Sequence, residues 1–166
     1  MSISVPKDVE VLWAMVSPKD IHKSYIKFLC CSFYSPPDKG KNLSLVNHLL
    51  DVTNIHLSSS PNLMVVCAGD ANDLDLTTLL NSDSSLSQIV RVPTRGARIL
   101  DVIITNNSSI FSSPVTVPPL KPDIAEKGEP SDHLGVLVLP VVLNNSLQSS
   151  IRMVEVRPLP SSKFGI

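Results

Sequence analysis

The stretch LMVVCAGDAN, residues 63 to 72, decides the architecture. From Leu63 to Ala68 it is apolar without polar alternation, the composition of a central strand covered on both faces, and Gly69 reads as its end. Asp70 and Asn72 are thereby set at a strand exit. Upstream, Val9 to Val16 and Ile26 to Tyr34 read as two more strands joined by the polar segment SPKDIHKS. In the second, Ile26, Phe28, Cys30, Ser32 and Tyr34 alternate onto one face, and Pro36-Pro37 stops it. A helix then starts at a candidate N-cap, Asn42, with Leu43, Val46, Leu49, Leu50 and Leu57 at helical spacing before Ser58-Ser59-Ser60. Downstream come a short helix near Leu74 to Leu80 and a strand over Ile99 to Thr105. A Ser-, Pro- and Lys-rich excursion over residues 106 to 130 leads to a closing strand over Leu134 to Leu143. Strands alternating with helices give an α/β fold within residues 1–143, and the polar residues 144–166 read as a linker or tail.

Composition narrows the functional classes. A chain of 166 residues, 43% of them hydrophobic, suits one domain with a real core. The net charge is −1 and the 14 Lys and Arg are scattered, which excludes a broad basic surface for nonspecific nucleic-acid binding. Any contact with DNA has to be local. The adjacent Cys30 and Cys31 face opposite ways in a strand and cannot bridge each other, so the 3 cysteines are expected to be reduced core residues of an intracellular protein. The N-terminus shows neither a basic leader nor a continuous apolar segment, so no signal peptide is expected. Leu134 to Leu143 is too short to span a bilayer and contains Pro140, so neither a transmembrane segment nor a membrane partner is expected.

Four groups can carry chemistry. Asp101 interrupts the branched apolar run ILDVIIT, where an unpaired buried carboxylate would cost several kcal/mol. It is either a strand-edge residue facing solvent or an acid that orients an imidazole, and His133 is available for the second role. Asp70 and Asn72, two residues apart, leave extended backbone on the same side and can together address a phosphate and its attacking water. Gly-Asp at a strand end is also ordinary turn chemistry. Asp132 and His133, in the SDH tripeptide, can point one group at a metal and the other at phosphorus, or simply form a capped turn. Tyr34 either places its phenol against a phosphate or packs.

The order of these groups is more specific than any one of them. FYSPP, VVCAGDAN, PTRGARILDVIITN and SDHLGVLV, spread over Glu10 to Leu143, together resemble the endonuclease/exonuclease/phosphatase superfamily, and within it the apurinic-type endonuclease domain of non-LTR retrotransposons. The resemblance implies a partial four-layer α/β/β/α sandwich of the DNase I-like kind, without its N-terminal half. It implies that His133, oriented by Asp101, contacts the scissile phosphate; that Asp70 handles the proton of the attacking water; and that Asn72 and Tyr34 hold phosphate oxygens. Asp132 would support the metal site, and Thr94 and Arg95 would touch the nucleic acid. Mg²⁺, with Mn²⁺ as a substitute, would be the cofactor and DNA the partner, the products being a 3′-hydroxyl and a 5′-phosphate. A DNA substrate implies a nuclear location alongside the cytoplasmic one. The tail EVRPLPSS is similar to the stretch that precedes a reverse transcriptase in such elements.

Two departures temper these expectations. The family's early Asn and its principal metal-ligand Glu lie on strands that would precede Val9, and Glu10 is not in their place. The chain is therefore expected to be inactive or weak unless the missing half or another polypeptide completes it. Ala71 stands where relatives carry a bulky residue, a change that costs about 2–5 kcal/mol if the position is buried. A catalytically dead binding module of the same fold, and a lipid or inositol-phosphate phosphodiesterase, remain as alternatives.

Overall fold

In a computed structural model, residues 3–17, 27–37, 39–82, 85–119 and 131–141 are described. Residues 18–26, which take in most of the SPKDIHKS joint, residues 120–130 at the end of the excursion and the tail from residue 142 lie outside them. Strand β1 (Glu10–Val16) pairs antiparallel with β2 (Lys27–Tyr34), and helix α1 (Lys39–Ser59) leads to β3 (Leu63–Asp70), which pairs parallel with β2. After α2 (Thr77–Ser82) come β4 (Ser87–Gln88) and β5 (Asp101–Thr105), the latter antiparallel to both β3 and β4. The result is a mixed five-stranded sheet of order β1-β2-β3-β5-β4. The all-apolar stretch at residues 63–68 thus lies in the central strand, as its lack of alternation predicts.

Gly69 does not end β3; the strand continues through Asp70. The glycine is needed for closeness instead, since a Cβ there would collide with the carbonyl of Phe33, its partner on β2. At the other end, β3 outruns β5, and Asn106 extends the ladder with its side chain. Its Oδ1 accepts from Val65 N–H at 2.9 Å and its Nδ2 donates to the Leu63 carbonyl at 2.9 Å.

Helix α1 covers one face of the sheet. Leu45, Val46, Leu49 and Val52 pack on Leu29, Cys31 and Phe33 of β2 and on Leu63, Val65 and Cys67 of β3, with Val102 and Ile104 of β5 and Leu79 of α2 completing the cluster. The helix begins at Lys39, so Asn42 lies inside it and is not its N-cap. Leu43 faces solvent, and Leu45 and Val52 take the core positions the spacing argument had missed. Cys31 and Cys67 are register partners in this core, and their mutual hydrogen bond, together with burial, drives the Cys31 thiol pKa upward. Alternation puts Cys30 on the opposite face from Cys31, and all three thiols are free.

That opposite face is only partly closed. Phe28, Met64 and Ile110, with Cys30, Val66 and Phe111 against them, form a small cluster at one end. Elsewhere Leu12 is 71% exposed and Val16 and Tyr34 are exposed too. The expected ten-residue final strand is shorter. β7 (Gly135–Leu137) pairs with β6 (Val115–Val117), a strand in the Ser- and Pro-rich excursion, and the two form a separate ribbon. Pro140 supplies only an isolated bridge to Phe111, since proline has no N–H to extend a ladder. Among the described residues no helix is long and apolar enough to cross a membrane.

Candidate active site

The register of the sheet places four side chains in one row. Glu10 is paired with Tyr34, Tyr34 with Asp70, and Asp70 with Asp101, across β1, β2, β3 and β5. Laterally paired residues project from the same face, here the open face. No composition or periodicity argument shows this row, because it depends on which strands neighbour one another.

His133 joins the row from the turn before β7. Its Nδ1 lies 2.9 Å from Asp101 Oδ2, both side chains being about three-quarters buried. A carboxylate only accepts, so the contact places the imidazole proton on Nδ1 and leaves Nε2 for another partner. The turn is fixed locally, with Ser131 Oγ accepting from His133 N–H at 3.1 Å. Asp101 therefore has the partner that burial demands.

Asn72 reaches the site differently from the extended geometry expected. It adopts a left-handed conformation, φ 45°, which folds it back after the strand. Its N–H donates to Asp70 Oδ1 at 3.1 Å, while its Nδ2 donates to the Ser35 carbonyl at 3.0 Å. Ser35 N–H in turn donates to the Asp70 carbonyl at 2.8 Å. One amide hydrogen of Asn72 is thus spent on the scaffold and one is left for a ligand. Ser35, inside FYSPP, is a site-building residue that its sequence context did not announce. Ala71 between them is buried in the main core, so the small residue does occupy an interior position.

No protein-family model matches the chain, and no curated protein matches it.

One expectation changes, and two others gain detail. Thr94 cannot touch nucleic acid, because it is fully buried: its hydroxyl accepts from the N–H groups of Leu100 and Asp101 at 3.0 Å each. Arg95 is exposed and ion-paired with Asp132 at 2.5 Å through Nη2, which leaves its other N–H donors facing solvent. Asp132 is not in the group close enough to ligate one ion directly, although its Oδ1 lies 4.0 Å from His133 Nε2. Among the described residues that group is Asp70, Asp101 and His133, whose candidate ligand atoms all lie within 4.8 Å of one another. The Arg98–Asp73 pair, also at 2.5 Å, ties the same hairpin to the loop after Asn72. Gly96, at φ 57°, makes the tight turn between the two arginines possible.

The donor set can take a divalent cation, and its character is mixed. Carboxylate oxygens suit hard ions such as Mg²⁺, whereas an imidazole nitrogen moves the preference toward first-row transition metals such as Mn²⁺. The Asp101–His133 hydrogen bond competes with metal binding for Nδ1. Asp70 is then the main anionic donor, and water would have to supply most of the remaining ligands.

Proposed function

We propose that this chain carries the hydrolytic part of a metal-dependent phosphodiesterase site, acts on DNA as a nicking endonuclease, and is weak on its own. The observation that carries the reading is the 2.9 Å contact between His133 Nδ1 and Asp101 Oδ2 with Asp70 beside it. An imidazole held by one acid, next to a second acid, is the equipment for moving a proton and steadying charge at phosphorus. His133 Nε2 would face a phosphate oxygen, as imidazolium or as general acid–base. Asp70 would take the proton of the attacking water, with its Oδ1 held by Asn72 N–H. The remaining amide hydrogen of Asn72 and the phenol of Tyr34 would orient the phosphate without adding negative charge. A bound Mg²⁺ or Mn²⁺, held by Asp70 and water, would neutralise charge on the phosphate.

Weakness follows from the same donor set, in which Asp101 is engaged by His133 and one oxygen of Asp70 by Asn72 N–H. Support for a DNase I-like relationship comes from the mixed sheet, which α1 covers on one face while Leu12 and Val16 stay exposed on the other, where a partner sheet would pack. The arginines of the TRGAR hairpin are each ion-paired, which favours limited DNA affinity.

Plasmid nicking tests this. With Mg²⁺ or Mn²⁺ the purified chain should relax supercoiled DNA slowly, leaving 3′-hydroxyl ends, and His133→Ala or Asp101→Asn should lower the rate by about 10²–10⁴-fold. Equal nicking by the chain and by His133→Ala would exclude the assignment.

A further inference from the structure

We propose that Thr94 is a positioning residue that holds the three loops of the site in register through one buried hydroxyl and one carbonyl. The residue is 0% exposed. Its Oγ1 accepts from both Leu100 N–H and Asp101 N–H at 3.0 Å, fixing the backbone from which the Asp101 carboxylate departs. Its carbonyl accepts from Leu134 N–H at 2.8 Å, fixing the turn immediately after His133. The Leu100 carbonyl then accepts from Ala71 N–H at 2.7 Å, between Asp70 and Asn72. The connections run from Thr94 to each segment that contributes to the Asp70, Asp101 and His133 group.

Two features make a threonine hydroxyl suited to this place. A hydroxyl oxygen has two acceptor lone pairs, enough for two convergent N–H donors, and valine of nearly the same shape has none. Deleting it leaves a buried N–H at Leu100 and a partly buried one at Asp101 without that partner, in the region where Asp101 meets His133. The Thr94 N–H donates to the Arg98 carbonyl at 2.9 Å, so the residue is itself held by the hairpin that Arg95 and Arg98 anchor to the flanking loops. Its position is therefore determined from outside the site and transmitted inward.

What the held pair accomplishes rests on the phosphodiesterase reading; whether Thr94 holds it does not, so the two can fail separately. The test is long-range ¹H–¹⁵N NMR of the imidazoles in the full chain, without DNA. The native chain and Thr94→Ser should both show His133 protonated and hydrogen-bonded at Nδ1. Thr94→Val should lose that signature while the amide resonances of α1 stay in place. Retention of the signature in Thr94→Val overturns the proposal, as does its loss in Thr94→Ser. Should Thr94→Val fail to fold, amide hydrogen exchange in the native chain decides. Leu100, Asp101 and Leu134 should be protected and open together, and rapid exchange at Leu100 and Asp101 overturns the role. If nicking is measurable, Thr94→Ser should retain kcat and KM alike, and a rise in KM alone would instead mark a substrate contact.

Discussion

The two faces of the sheet are made by alternate residues of the same strands, yet they serve opposite ends. Under α1, Leu29, Cys31, Phe33, Leu63, Val65 and Cys67 meet a continuous apolar layer, and nothing chemically reactive is presented to solvent. On the other side the same strands carry Glu10, Tyr34, Asp70 and Asp101 in one row, on the face that also leaves Leu12 and Val16 exposed. Tyr34 directly follows Phe33, which sits in the interior, and Asp70 follows Gly69, which packs against the Phe33 backbone. A period of two, continued to the last residue of a strand, lets a rigid core aim polar groups outward at its rim. The covered face supplies stability, and the open face uses it to hold side chains that burial alone would not tolerate.

That division predicts unequal responses to truncation. The largest stability effect should come from Leu49→Ala, which removes a side chain 0% exposed at the centre of the α1 layer. Loss of about 2–5 kcal/mol is expected, read as a lower urea midpoint. A loss below about 1 kcal/mol would mean that α1 is loosely docked and the contrast between the faces is false.

A smaller, pH-dependent effect should mark the same face at the edge of the sheet. Trp13 Nε1 donates to His48 Nε2 at 3.1 Å, which requires His48 to be neutral. Burial lowers the His48 pKa from its ordinary value, opposed in part by nearby Asp51. The unfolded chain then binds a proton before the folded chain does as pH falls. This contribution to stability is complete above about pH 6.5 and drains away below it. His48→Gln should flatten that part of the pH–stability curve, at a cost of about 1 kcal/mol at pH 7 if the Trp13 bond is lost. An unchanged slope between pH 7 and 5 would place His48 outside the protected layer.

Sequence patterning made the covered face legible more completely than the open one. The apolar run at residues 63–68 and the alternation in residues 26–34 specify strands through burial, a local property of each segment. Even so, the helical spacing puts Leu43 on the apolar face and does not include Leu45, because a helix with apolar residues at 43, 45, 46, 49 and 50 admits two faces until the sheet chooses one. The site was visible as residue types in order, and the Asp101–His133 pairing followed from the cost of burying a lone carboxylate. Thr94, Ser35 and the Arg95–Asp132 pair were not legible in their actual roles. Each depends on backbone groups brought together by strand order and by the left-handed turns at Asn72 and Gly96, which leave little signature in hydrophobic pattern.

The smallest expected effect is the most discriminating for the open face. Leu12 projects from β1 on the side of Tyr34 and Asp70 and is 71% exposed, so Leu12→Thr removes little buried surface while keeping strand propensity. Its stability should change by no more than about 0.5 kcal/mol in urea unfolding at low protein concentration. At high concentration the variant should stay soluble better than the native chain, because β1 is an edge strand whose only charged residue is Glu10 at one end. A concentration-independent loss of about 2 kcal/mol would show that the face is covered within the chain. The row of Glu10, Tyr34, Asp70 and Asp101 would then be an interior feature, and the division between a stabilising face and a chemical face would have to be abandoned.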